Sequence, residues 1–169
     1  MSSELRVDTI KLANGNSATA SGLGIGGVGK IGQLLQGQNS TQIATSLSLT
    51  DFDIVTQSIT PTATSSTIFL SGVLMGIQGN SGSVNTRLNV SLYRGSTQIM
   101  TSGANRWNFS TSYTRDGGFA INWKDSPSST SALSYRLVVN WADTGGSTVY
   151  INKDGNSGFS TLTLMEVLA

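Results

Sequence analysis

Toward the C-terminal end, apolar and polar positions alternate with the period of a β-strand. Tyr135, Leu137, Val139 and Trp141 alternate with Arg136 and Asn140, which places the apolar set on one face of an extended segment. Asp143-Thr144-Gly145-Gly146 supplies a turn, Val149-Tyr150-Ile151 a short strand and Lys153-Asp154-Gly155-Asn156 a second turn. Phe159 to Leu168 then forms another strand. The expected arrangement is a meander from 131 to 169 that the rest of the chain covers. Its last strand is expected inside a sheet, because a free apolar end would fray.

The same reading extends upstream. Ile31–Leu35, Ile43–Leu49 and Ile54–Ile59 are short strands, the last two separated by Asp51-Phe52-Asp53. Pro61 to Ser66 is a loop. Ile68 to Ile77 is apolar on both faces and is expected to be central in a sheet. Gly79-Asn80-Ser81-Gly82 turns the chain into a strand where Leu88, Val90 and Leu92 alternate with polar residues. Arg94-Gly95-Ser96 turns it again into Gln98–Met100. Trp107, Phe109 and Tyr113 share one face of a strand, and Phe119, Ile121 and Trp123 share one face of the next. Lys124 to Thr130 is a loop around Pro127. About ten short strands with turn chemistry between them, and no helical period, predict an all-β antiparallel β-sandwich or jelly roll.

Residues 1–29 read differently. Leu5, Val7 and Thr9 alternate with Arg6, Asp8 and Ile10, Asn14-Gly15 is a strong hairpin signal, and five glycines fall between Gly22 and Gly29. That predicts an extended N-terminal arm with a short hairpin and a Gly-rich linker over 1–29, followed by a head domain over 30–169. So short a segment cannot bury a core of its own, so Leu5, Val7, Ile10 and Leu12 need another surface.

Composition narrows the chemistry. Serine, threonine, glycine and asparagine make up 78 of 169 residues, which suits turns and polar strand faces rather than helices. There is no cysteine and no histidine, which removes disulfides, thiolate metal sites and the commonest general base. Charged residues are 11% and the formal net charge is +1, so no basic field for nucleic acid is expected. No apolar run reaches the roughly 20 residues of a membrane helix. The first residues lack an apolar signal segment, so folding in a cytoplasm is expected.

Several motifs have plainer readings. Gly22-x-Gly24-x-x-Gly27 matches a dinucleotide fingerprint, and Gly24 to Lys30 nearly matches a P-loop, but neither has a strand before it and a helix after it. Asp143-Thr144-Gly145 resembles an aspartic-protease triplet. It occurs once, in turn chemistry, where two aspartates would have to share a proton. Asp51 and Asp53 lack a third nearby carboxylate for calcium and are expected to flank a turn. The serines have no histidine to activate them. No catalytic residue, cofactor or metal is therefore expected. Trp107, Tyr113, Trp123 and Trp141 are expected to be mostly core. Trp107, between Arg106 and Asn108, is the best candidate for a surface contact. Glu166 shares a face with Leu162, Leu164 and Leu168, so it must be paired or must reach a subunit boundary. Arg87, Arg94 and Arg136 are its candidate partners. The sequence does not choose among the three; Glu166 and Arg136 are taken as candidate subunit-interface residues.

Several further segments carry a resemblance. Leu5-Arg6-Val7-Asp8-Thr9-Ile10 followed by Asn14-Gly15 resembles N-terminal segments of tailed-phage virion proteins, cyanophages especially. Ser58-Ile59-Thr60-Pro61, Leu92-Tyr93-Arg94-Gly95, Asp125-Ser126-Pro127, Ser134-Tyr135-Arg136 and Ser160-Thr161-Leu162-Thr163-Leu164-Met165-Glu166 resemble a β-domain of phage fibre and capsid-surface proteins. The resemblance implies a jelly-roll head, a homotrimer mounted on the particle by its arm. The expected function is capsid decoration at the virion surface, bound to the major capsid protein or another virion protein through Leu5, Val7, Ile10 and Leu12. The alternative is a tail-fibre head whose far loops, 79–85 and 125–131, contact a host surface glycan. No nucleic acid and no membrane insertion are expected. An enzyme would need two carboxylates facing one groove.

Overall fold

The computed structural model describes residues 30–45, 49–79, 84–102, 105–109, 117–142, 148–153 and 158–168. The arm, with Leu5, Val7, Ile10 and Leu12, lies outside the described residues, as do most of the turns expected at 79–82, 143–146 and 153–156. The described part is all-β: β1 (Lys30–Asn39), β2 (Ile43–Thr45), β3 (Leu49–Ile59), β4 (Thr67–Gly79), β5 (Val84–Arg94), β6 (Thr97–Thr101), β7 (Asn105–Phe109), β8 (Gly117–Asp125), β9 (Leu133–Ala142), β10 (Val149–Ile151) and β11 (Ser160–Leu168).

The pairing is nested. β5 pairs with β6, β4 with β8, β3 with β9, and β1 with β11, all antiparallel. The chain is thus one long hairpin with its bend at Gly95-Ser96, rolled so that its pairs alternate between two sheets. One sheet runs β1-β11-β4-β8, with β10 and β2 extending it; the other runs β3-β9-β5-β6, with β7 also on β5. This is the jelly-roll solution to covering two apolar sheet faces.

Two strand expectations change. The region 131–169 is not a meander: β9 lies in one sheet and β11 in the other, between β1 and β4. Short links normally favour neighbouring strands, but the nested pairing sends consecutive strands across the sandwich. Asp51-Phe52-Asp53 is not a turn between two strands either. β3 runs through it with register shifts, Asp51 taking φ +48°. Its carboxylate explains how: it accepts bonds from Asn140 Nδ2 and Tyr93 Oη at 3.0 Å, while Asn140 Oδ1 accepts from the Asp51 N–H.

The core lies between the sheets. Ile68, Leu70 and Leu74 of β4, Leu162 and Leu164 of β11, Leu88 and Leu92 of β5, and Tyr135, Leu137 and Trp141 of β9 are buried. As expected, β4 is the central strand, flanked by β11 and β8. Polar links tie the sheets at both margins. Asn39 Nδ2 donates to the Ile54 carbonyl at 2.8 Å. At the other margin Arg94 donates to both Asp125 oxygens, and the Tyr135 hydroxyl donates to Asp125 at 2.7 Å. Burial, and then the bond to Asp125, push the Tyr135 hydroxyl pKa up. Tyr135→Phe removes one bond to a charged, part-buried acceptor and is expected to cost about 1–2 kcal/mol in urea unfolding.

A second knot holds β10 and β11 against β4. Gly76 takes φ +60°, and its carbonyl accepts from the Lys153 N–H at 3.2 Å while Met75 O accepts from the Asn152 N–H. Asn152, fully buried at φ +54°, accepts from Ser160 Oγ at 2.7 Å and donates to the Thr41 carbonyl.

Candidate interaction surface

Alternation along β11 turns Ser160, Leu162, Leu164 and Glu166 inward and Thr161, Thr163, Met165 and Val167 outward. On β4 the inward set is Ile68, Leu70, Gly72 and Leu74, which leaves Phe69, Ser71, Val73 and Met75 outward. β1 is less regular. Ile31 pairs with Val167, Gln33 with Glu166 and Leu34 with Met165, so Gly32 is an extra residue in a bulge. In a regular strand residues three apart face opposite ways. The bulge brings Ile31 and Leu34 onto the same outward face.

Cross-strand register then assembles the surface. Leu34, Met165, Phe69 and Lys124 stand in one row across β1, β11, β4 and β8. Gln36, Thr163, Ser71 and Asn122 form the next. Ile31 and Val167 extend the apolar row. Ile31 is 61% exposed, Leu34 60% and Phe69 38%. None of the described residues on this face is acidic. The outward face of the opposite sheet is polar and charged by contrast. There Arg136 pairs with Asp53 at 2.8 Å and lies 4.9 Å from the Tyr93 ring centre. The Asn140 and Tyr93 bonds lower the pKa of Asp51. Burial, and then the bond to Asp51, raise that of the Tyr93 hydroxyl.

Glu166 packs against the Gly32 bulge. Its fully buried carboxylate accepts from the Thr62 N–H at 2.7 Å, the Thr62 hydroxyl at 2.8 Å and Gln33 Nε2 at 2.7 Å. A Cβ on residue 32 would come within 2.9 Å of its Oε2. Burial alone would raise the pKa of the carboxyl. The Thr62 N–H, Ser66, the Thr62 hydroxyl and Gln33 outweigh burial and hold it at about 2, against an ordinary 4.5. Ser66 contributes without a well-formed hydrogen bond, since its hydroxyl has no partner within bonding geometry. Glu166 is therefore paired within the chain, by neutral donors rather than by an arginine.

Of the candidate site residues, Glu166 and Arg136 lie on different sheets and are not brought together. Trp107 sits in β7 with its backbone opposite Thr86; its side chain lies outside those described. Among the tryptophans expected to be core, Trp141 is buried but Trp123 is 41% exposed. Trp123 is on β8, which pairs with β4; among the described residues no strand pairs with its other edge. Sequence reasoning missed Ile31, Leu34 and Phe69 as a surface. The only available signal was the glycine between two large aliphatics in Ile31-Gly32-Gln33-Leu34.

No protein family and no curated protein matches the chain. Among solved structures it is similar to the infectious bursal disease virus VP2 subviral particle, at 14% identity and TM-score 0.45, over 80% of this chain and 39% of that one. It is also similar to the infectious bursal disease virus Gx strain, at 15% identity and TM-score 0.36, over 96% of this chain and 42% of that one. A third likeness is to the disulfide-linked pili of Bacillus endospore appendages, at 13% identity and TM-score 0.28, over 85% of this chain and 95% of that one. The chain spans about two fifths of the length of the two viral chains. At these identities and scores the likenesses assign no function.

The exposed apolar side chains Ile31, Leu34 and Phe69 offer contact area on the outer face. No group of three or more His, Cys, Asp or Glu that could hold a metal occurs among the described residues. The two ion pairs seen there, Arg94–Asp125 and Arg136–Asp53, lock strands together.

Proposed function

We propose that the chain is a non-enzymatic structural protein of a phage virion, a capsid decoration protein. Its arm (Leu5, Val7, Ile10, Leu12) anchors it to the major capsid protein or another virion protein, and its sandwich projects outward as a homotrimer. The observation that carries this reading is the outer face of the β1-β11-β4-β8 sheet, with its exposed apolar side chains Ile31, Leu34 and Phe69 and no acid among its described residues. It begins at Ile31, two residues beyond the proposed arm. A sandwich stable in its own core has no folding reason to expose such a face, whereas an assembly part has one. Many weak contacts multiplied over a trimer would suffice for attachment.

The test mixes purified protein with particles that lack it and images them by electron microscopy. Density repeated over the shell is expected. Deleting residues 1–29 is expected to leave the β-sheet circular dichroism intact and abolish that density. Decoration by the truncated chain would refute the arm.

A second reading has one observation in its favour. Trp123 is 41% exposed and sits three residues before the loop that opens at Ser126. An exposed indole can stack on a sugar, as a receptor-binding appendage would require. Density confined to the tail vertex, together with glycan binding lost in Trp123→Ala, would favour this reading over decoration.

A further inference from the structure

We infer that the outward face of the β1-β11-β4-β8 sheet binds a second copy of this chain. The inference rests on the structural role proposed above and names the partner for one face: in the proposed trimer this face of each chain turns toward the threefold axis and meets the same face of its neighbours. Three observations converge on it. First, the apolar row is built rather than incidental. Were Gly32 an ordinary ladder residue, alternation back from Leu34 would turn Ile31 inward; the bulge sends it out beside Leu34, and Glu166 occupies the space that a side chain at 32 would need. Bulges of this kind re-aim side chains at edges and sites.

Second, the charge pattern selects the partner. The face carries Lys124 and no acid among its described residues. A basic or acidic partner would find nothing to pair with beyond that lysine. A copy of the same face offers what this one needs: aliphatic and aromatic side chains for the Leu34–Met165–Phe69 row, and donors with acceptors for the Gln36–Thr163–Ser71–Asn122 row. Third, the size fits. Four strands about 4.8 Å apart, over about eight residues each, span roughly 500 Å² in projection. That is a large part of the about 800 Å² per partner that a stable interface buries.

The test uses the full chain in sedimentation velocity over a wide concentration range. Wild type is expected to self-associate. L34K with F69K sets like charges against each other across the contact, and the midpoint concentration for association is expected to rise at least about 100-fold. T163K, in the polar row, is expected to act in the same direction should the double variant fail to fold. T56K, on the outer face of the opposite sheet, should change nothing. A wild-type chain that stays monomeric, leaving the face to some other protein, overturns the inference. So does association that persists in the outer-face variants or is lost in T56K. Particle binding is read separately. A monomer that still decorates particles overturns this inference, and the trimer with it, while decoration stands; a self-associating chain that never decorates overturns decoration and leaves this inference standing.

Discussion

Gly76→Ala is expected to lower stability by about 3 kcal/mol and the melting temperature by roughly 6–12 °C. Two effects add. At φ +60° any Cβ is strained, which costs about 1 kcal/mol. The new methyl would also stand 2.6 Å from the Lys153 nitrogen and 3.1 Å from Asn152 backbone atoms. Those atoms cannot swing aside as a side-chain tip could. Both residues are bonded to Met75 and Gly76 carbonyls, and the buried Asn152 side chain is bonded to Ser160 and Thr41. Gly95 supplies the comparison. It has φ +58° but nothing within 4 Å of an added Cβ, so Gly95→Ala should show only the strain of about 1 kcal/mol. Guanidinium unfolding of both variants measures the difference. Equal losses would show that the contacts at Gly76 relax freely.

Glu166→Leu is expected to cost about 3 kcal/mol, because it leaves the Thr62 N–H and hydroxyl without their acceptor and Gln33 Nε2 with the Thr60 carbonyl alone, around a side chain that is fully buried. The carboxylate also predicts an acid dependence. Its folded pKa, about 2, lies below the ordinary 4.5, so the folded state favours the charged form. The stabilisation is complete above about pH 5 and is lost as pH falls toward 2. The covering groups, Thr62 and Gln33, are themselves exposed or half-exposed, so solvent screens the site, and a contribution of about 2 kcal/mol is expected. Glu166→Gln keeps an acceptor for Thr62 but cannot titrate. Its stability between pH 5 and 2 should fall less than that of wild type by this amount. Parallel pH profiles for the two proteins would remove Glu166 as the source of acid sensitivity.

Much of the fold could be read from local pattern. Glu166 falls in step with Leu162 and Leu164, and it does face inward with them. Ile68 to Ile77 is apolar on both sides, and β4 is indeed flanked on both edges. Arg94-Gly95-Ser96 turns where its chemistry says it should. What local pattern could not supply was pairing at long range. The link from β9 to β11 looks like a meander until β1 and β4 are known to flank β11. Trp123 and Trp141 alternate with their neighbours in the same way, and only the position of their strands, at an edge and in mid-sheet, separates exposed from buried. The interaction surface was hidden for a related reason. One bulged residue at Gly32 reverses which side chains face out, and the sequence marks that reversal with a single glycine.

The nested pairing also sets an order in time. β1 and β4 are synthesised long before β11, and until β11 emerges from the ribosome both lack the strand that joins them. During that interval the two carry open hydrogen-bonding edges, the state in which nascent β-chains pair wrongly with one another. The interaction face is shared by β1, β11 and β4, so it does not exist on a growing chain. Copies being translated side by side on one message therefore cannot assemble through it prematurely; association waits until each sandwich has closed. Closure itself is slow, because its decisive contacts join residues more than a hundred positions apart, Lys30 with Leu168 among them.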